Sequence, residues 1–472
     1  MSLVWFRLDL RLTDNPAWAR ALERGGAVVP VYIHAPEEAG QWAPGEARCW
    51  WLHHALADLS TQLADKGLRL ILRCGESEDI LTRLLEETEA DAVYWNRSYE
   101  PFRIHHDGRI KSHLKESGIE AWSGNAALLR EPWEVATASG GPYKVYTPYA
   151  RACSRMADAE PVAGGEEKPQ PPQKWTEMCS IEDLDLLPEI TWTDGLHAFW
   201  NPTREGGLGR LGAFLKNRMK AYATDRNIPG EDGTSQLSPY LHTGQIGARE
   251  VVAALQRHPK GKGRDTFYRE LVWRDFAYHV LYHFPDTLEE PLQRKFSAFP
   301  WRREADDLRA WQKGETGYPI VDAGMRQLWK TGWMHNRVRM IVASFLVKHL
   351  LHSWRDGEAW FRDTLVDADL ASNTLGWQWA GGCGADAAPY FRVFNPITQG
   401  EKFDPKGTYT RAYVPELAKV PDKYLFKPWE MPETVQRESG CVIGQDYPEP
   451  IIDHKAGRER ALEAFASIKE ER

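Results

Sequence analysis

The apolar positions of the first third fall into short runs: Leu3-Val-Trp-Phe, Ala27-Val-Val-Pro-Val-Tyr-Ile, Leu68-Arg-Leu-Ile-Leu and Ala92-Val-Tyr-Trp. Between the runs they recur every three or four residues, most regularly from Ala47 to Lys66. Strands alternating with amphipathic helices build a parallel sheet with helices on both faces. From Glu131 to Trp200 neither period persists, and Gly164-Gly-Glu-Glu-Lys-Pro-Gln-Pro-Pro-Gln-Lys has the composition of a linker. Beyond Gly206 the period is helical: Leu208 to Thr224, Ala248 to Gln256, Gly263 to His283, Ile320 to Leu351 and a last helix from Arg458 to Glu470. The pattern predicts an α/β domain with a doubly wound parallel sheet over 1–130, a connector over 131–200 and an all-α domain over 201–472.

Length supports this division, because 472 residues suffice for two separate cores. No run reaches the uncharged length of a membrane helix, and the longest, Val338 to Leu351, is interrupted by Arg339 and Lys348. Met1-Ser-Leu-Val-Trp-Phe-Arg lacks the basic start and apolar stretch of a secretory signal, so a cytoplasmic location without membrane contact is expected. The six cysteines show neither a CxxC pair nor zinc-ligand spacing, so no metal and no disulfide frame is expected. A net charge of -8 argues against a protein that coats nucleic acid. Yet Ala323 to Arg355 holds Arg326, Lys330, Arg337, Arg339, Lys348 and Arg355 with no acid, either a solvated helix face or a phosphate-contacting one.

Three clusters carry candidate chemistry. In Gly233-Thr-Ser-Gln-Leu-Ser-Pro, hydroxyls precede a proline, with Ser238 as N-cap and Pro239 opening a helix; the segment is a plain cap or a phosphate cradle. In Gly332-Trp-Met-His-Asn-Arg-Val-Arg-Met, Arg337 and Met340 share a helix face. From Asp367 to Trp379, two carboxylates, Asn373 and two indoles crowd together, and Tyr390-Phe-Arg-Val-Phe-Asn-Pro follows. Stacking surfaces beside a few directed polar groups suit a planar heterocycle, or else a satisfied polar network in an aromatic core. No GxGxxG follows the first strand, so a dinucleotide in the usual Rossmann position is unsupported.

These blocks, with Val4-Trp-Phe-Arg-Leu-Asp-Leu-Arg-Leu-Thr-Asp-Asn, Glu270-Leu-Val-Trp-Arg-Asp-Phe and Thr316-Gly-Tyr-Pro-Ile-Val-Asp-Ala-Gly-Met-Arg-Gln-Leu, resemble the photolyase and cryptochrome family in order and spacing to about Phe403. The resemblance implies FAD held in the helical domain. Tyr222, Thr234, Ser235, Leu237 and Ser238 would hold its phosphates, with Gln236 standing where an arginine is common. Arg339 and Asp367 would pair beside the isoalloxazine, Asp369 would contact it, and Asn373 would face N5. It further implies light-driven electron transfer from reduced flavin to a pyrimidine dimer flipped out of DNA. Glu270 would bond the dimer's base edges, Trp273 and Trp379 would face its rings, and Asn336, Arg337 and Met340 would complete the wall. Trp377, Trp354 and Trp301 match the family's electron-transfer chain.

Within the family, Asn373 and the lack of a long C-terminal tail favour repair over a cryptochrome signalling light to a protein partner. Asn336, where a second histidine would mark the six-four branch, favours cyclobutane dimers. Ala43-Pro-Gly-Glu-Ala-Arg-Cys-Trp-Trp-Leu-His-His and Tyr94-Trp-Asn-Arg-Ser-Tyr-Glu-Pro resemble the class III group. That likeness implies a methenyltetrahydrofolate antenna in the N-terminal domain, with deazaflavin or no antenna as alternatives. The expected partner is DNA containing pyrimidine dimers, bound by a monomer.

Overall fold

A computed structural model describes residues 1–164, 168–387 and 391–468. Part of the linker-like segment and Tyr390 therefore lie outside the described residues. Five parallel strands, β1 (Ser2–Phe6), β2 (Val28–His34), β3 (Ile71–Cys74), β4 (Ala92–Asn96) and β5 (Glu120–Gly124), form one sheet in the order β3-β2-β1-β4-β5. Leu3 of β1 registers with Val29 of β2 and with Val93 of β4. Helices α1 (Pro16–Arg24), α2 (Glu46–Asp65), α3 (Ser77–Thr88) and α4 (Pro101–Glu116) cover its faces. Because both faces are buried, the strands are nearly continuous apolar runs rather than alternating ones.

From Asp194 onward the described elements are helical. Those that build the site are α5 (Ser238–His242), α6 (Lys262–His283), α7 (Pro319–Thr331), α8 (Asn336–Ser344), α9 (Trp354–Thr364) and α10 (Leu370–Gly381). Two expected helices are broken. Leu208 to Thr224 is a helix Arg204–Asn217 and a separate turn Tyr222–Asp225. Ile320 to Leu351 is interrupted by Gly332, whose φ of 63° closes α7, and restarts where His335 Nδ1 accepts the Arg337 N–H to cap α8. Phe345–His349 then continues as a π-turn. Apolar periodicity runs through all of this, which is why the breaks do not show in it.

The two halves share one core. A single buried cluster joins Val4, Trp50 and Trp51 of the sheet half to Trp200, Leu211, Tyr240 and Phe267 of the helical half. Arg11, fully buried, donates to Ala126 O at 2.8 Å and to Gly244 O at 2.7 Å. Trp51 Nε1 donates to Gln245 at 2.9 Å. Gly244, at φ 72°, admits no Cβ because the Leu8 and Asp9 backbone occupies that space.

Asp275 of α6 accepts the backbone N–H groups of Leu129 and Arg130 at 3.3 and 2.8 Å, fastening the start of the connector. Burial pushes its carboxyl up from 3.8 to about 7, and the Arg274 charge and the two N–H groups offset only part of that. With the folded pKa above the unfolded one, the contribution to stability is full below about pH 4 and is lost as pH rises through about 7. Asp275→Asn should lower the melting temperature at pH 5 by roughly 1–3 °C, because the amide cannot accept both N–H bonds. It should also flatten the decline from pH 5.5 to 8.5, as a thermal-shift series would show.

Candidate functional site

A cavity of ≈ 650 Å³ opens between α5, α6, α8 and α10, within the range of ligand sites. Most of the expected residues meet in it: Tyr222, Thr234, Ser235, Gln236, Leu237, Ser238, Glu270, Trp273, Asn336, Arg339, Met340, Asp367, Asp369, Asn373, Trp377 and Trp379. Exposure orders them by depth. Asn336 is exposed and Glu270, Trp273, Met340 and Trp379 are half-buried, whereas Asp367, Asp369 and Trp377 are buried.

At depth, Asp367 accepts two bonds from Arg339 Nη2, at 3.0 and 2.8 Å, and one from Ser238 Oγ at 2.5 Å. Ser238 is thus not the N-cap. Leu237 occupies that position, Ser238 and Pro239 form the first turn, and the Ser238 proton goes to Asp367, leaving only its lone pairs for a ligand. Gln236, at φ 51°, gives its amide oxygen to Arg210. Asp369 caps α10 through Ser372 N and is bonded by Tyr278 OH and His242 Nδ1. Burial alone would raise its carboxyl, but those bonds and the Arg274 charge hold it well below the usual carboxylate range. Burial and the Arg48 charge depress His242 more than its bond to Asp369 raises it, and its Nε2 has no partner among the described residues.

Helix α10 presents Asn373, Gly376 and Ala380 to the cavity, with open space around Gly376. Asn373 Nδ2 donates to Glu358 O at 3.0 Å and Glu358 Oε1 at 2.9 Å. That fixes the amide, so the oxygen is the atom offered to a ligand. At the mouth, Glu270 pairs with Arg226, and burial raises its carboxyl more than Arg226 lowers it. Trp273 is stacked on Tyr146 with centroids 3.6 Å apart and 6° between planes, which locks its rotamer.

Sequence reasoning missed Arg226, Tyr146, Glu358 and His242. Only His242, four residues after Ser238 on the same short helix, stood near a recognised motif.

Arg337 departs from expectation. It does not line the cavity, and its guanidinium is held by Asn227 at 2.7 Å, Met340 Sδ at 3.6 Å and the face of Phe403 at 4.3 Å. The cations from Arg326 to Arg355 do not form one face either. Arg326 is paired with Glu416, Arg339 with Asp367, and Lys348 is buried. The break at Gly332 turns α7 and α8 apart, leaving only Lys330 and Arg355 exposed.

Trp377 borders the cavity at 2% exposure. Its ring lies over Gly357 of α9, and the Trp354 Cβ, one turn back on α9, lies 3.9 Å from where a Cβ on Gly381 would be. Trp301 is half-buried, next to Arg302, which bonds Leu351 O at 2.8 Å just before Trp354. Trp377 thus lines the cavity, Trp354 is buried outside its lining and Trp301 is half-buried. Gly357→Ala should drive Trp377 from its place at a cost of about 1–3 kcal/mol, seen as a lower melting temperature and altered tryptophan fluorescence.

The N-terminal residues 2–172 match the family model described as DNA photolyase, and residues 267–467 match that described as the FAD binding domain of DNA photolyase. The deoxyribodipyrimidine photo-lyase of Agrobacterium fabrum is 48% identical over 99% of this chain and 98% of its own. Cryptochrome-2 of Arabidopsis thaliana is 37% identical over 99% of this chain and 79% of its own. A crystal structure of a bacterial class III photolyase from Agrobacterium tumefaciens superposes with a TM-score of 0.96 at 47% identity, covering 99% of this chain and 98% of the other. The chain belongs to the DNA photolyase and cryptochrome family.

Proposed function

We propose that this chain is a deoxyribodipyrimidine photolyase of the class III group, which binds FAD and splits cyclobutane pyrimidine dimers in DNA under blue light. The observation that carries the reading is one cavity whose depth offers groups suited to a flavin and whose mouth offers groups suited to a pyrimidine pair. The fit at depth rests on His242 Nε2, unpartnered among the described residues, on the directed Asn373 amide and on the room left at Gly376 beside Ala380. Thr234, Ser235 and Ser238 would hold the phosphates, and Arg339, Asp367, Asp369 and Asn373 the ring system. Reduced FAD, when bound and excited, supplies one electron to the dimer.

The residues at the mouth do the rest. Glu270 meets the base edges with a carboxyl already oriented by Arg226. Trp273, backed by Tyr146, and Trp379 offer apolar faces to rings that have left the duplex stack, and Met340 closes the opposite wall. Damaged pairs unstack at lower cost, which adds selectivity. Trp377, Trp354 and Trp301 would relay electrons from the surface.

No helix among the described residues is long and apolar enough to cross a membrane; the proposed partner is DNA containing pyrimidine dimers, bound by a monomer in the cytoplasm. For the antenna, methenyltetrahydrofolate is the proposal. The crevice at the ends of β1 and β4, bounded by Asp9, Arg97 and Tyr99, is ≈ 20 Å³ and does not fit such a molecule.

The test measures dimers remaining in irradiated DNA after incubation with purified protein in blue light and in darkness. Loss in light alone is expected, and equal loss in both rejects photorepair. No loss in either, with flavin bound, would favour the cryptochrome reading.

A further inference from the structure

The sheet ends on β3, and the connector runs along that outer strand. Cys179 N donates to Leu72 O at 3.0 Å, and Arg73 Nη2 donates to Thr176 Oγ1 at 2.8 Å. Trp175 packs against the apolar clusters around the sheet, with the Arg69 guanidinium 5.8 Å over its ring. These links fix 175–179 beside β3 and bring Cys179 next to Cys74, the last residue of the strand. Of the side chains around the Cys74 thiol, Cys179 acts on it most strongly, through its charge and through a hydrogen bond.

Two neighbouring thiols can help to hold a metal or can join as a disulfide. A structural zinc ion needs ligands beyond two thiols, and no group of three His, Cys, Asp or Glu side chains suited to a metal exists among the described residues. A disulfide needs only reach and an accessible sulfur. Cys74 is exposed and Cys179 half-buried, whereas Cys153, Cys383 and Cys441 are buried. Burial pushes those three thiols up to about 11, 12 and 11, and half-buried Cys49 to about 11, so all four are far less reactive toward peroxide. Partial burial, Cys179 and Asp183 raise Cys74 as well, so the pair reacts slowly and stays reduced until oxidant persists.

We infer that Cys74 and Cys179 are a redox pair that hydrogen peroxide converts to a disulfide, locking the connector to the edge of the sheet. The Cys74 thiolate attacks one peroxide oxygen, the O–O bond breaks, and the sulfur becomes a sulfenic acid while water leaves with a proton from solvent. The Cys179 thiol then attacks that sulfur, the S–O bond breaks and a second water leaves. Two thiols have lost two electrons, and one peroxide has become two waters. A small dithiol reverses the link by thiol–disulfide exchange. The loop closed runs from 74 to 179, long enough to restrict the unfolded chain strongly.

The test exposes the flavin-loaded wild type, Cys74→Ser, Cys179→Ser and Cys49→Ser to hydrogen peroxide, alkylates the free thiols after unfolding and maps the tryptic peptides. The wild type and Cys49→Ser should each lose two thiols, carry the Cys74 and Cys179 peptides joined, and regain both thiols with dithiothreitol. Cys74→Ser should lose none. In Cys179→Ser, Cys74 should go on to a sulfinic acid that dithiothreitol does not restore. The melting temperature of the oxidised wild type should rise by roughly 3 °C and fall back on reduction, with flavin content unchanged.

Cys74 and Cys179 peptides recovered separately from oxidised wild type would overturn the proposal, as would a link that joins either to another cysteine. Equal thiol loss in the wild type and Cys179→Ser would overturn it too, since the second thiol would then have no part. A linked protein whose melting temperature does not rise would remove the lock.

Discussion

Replacing Trp354 by phenylalanine should slow light-driven reduction of the bound flavin by roughly two orders of magnitude, about 2.7 kcal/mol on the barrier, while flavin content stays at the wild-type level. Trp354 does not line the cavity, so its removal leaves every flavin-holding group in place. It is 3% exposed and packed against Gly381, and phenylalanine fits the space with little rearrangement. What changes is chemistry: a phenyl ring is far harder to oxidise than an indole, so an electron given up by Trp377 cannot be replaced from Trp301. The measurement is flavin bleaching under blue light with an external reductant. Protein reduced chemically in the dark should then repair dimers at the wild-type rate, which separates the relay from the repair step. Unchanged bleaching would remove Trp354 from the relay.

Glu270→Ala should weaken binding of dimer-containing DNA roughly 30- to 150-fold, about 2–3 kcal/mol, and leave affinity for undamaged DNA within about twofold. Two losses combine. The bases lose a directed acceptor, and the half-buried Arg226 loses the carboxylate that orients it. Undamaged DNA is held through phosphates and does not enter the cavity, so it is indifferent to either. Competition binding with damaged and intact duplexes checks both numbers. An equal loss for the two DNAs would place Glu270 on a phosphate-facing surface instead of at the lesion.

The amphipathic segments were legible because their period and their ends agree. Ala248 to Gln256 is found as expected, with Gly247 before it donating its N–H to Glu250 at 2.8 Å, and the helix expected from Ala47 to Lys66 spans Glu46–Asp65. Strand β5 was not legible, because Glu120-Ala-Trp-Ser-Gly is short and half polar, as an edge strand is. Strand β3 begins at Ile71 rather than Leu68: Leu68 and Leu70 are buried in the core, but the Leu68 N–H bonds Leu63 O at the end of α2 and pairing with β2 starts only at Ile71.

The site divides in the same way. Asp367, Asp369, Asn373 and Trp377 sit together on one stretch of chain, so their types and spacing could be read at once. Arg226 and Glu270 are 44 residues apart, and the groups that orient Asn373 and Trp273 come from other helices. Partners of this kind are selected by the folded geometry and leave no local pattern. Lys348 shows the converse: a basic residue in a basic run looked like surface, and only the π-turn reveals that it points inward.

The core that Trp50 and Trp51 share with Trp200 and Tyr240 has a consequence for truncation. An excised helical half would present a raw oily wall to water and clump before it could load any flavin. A lineage that gave up harvesting light through a pigment would still have to keep its first hundred or so residues, as ballast without which the remainder cannot stand.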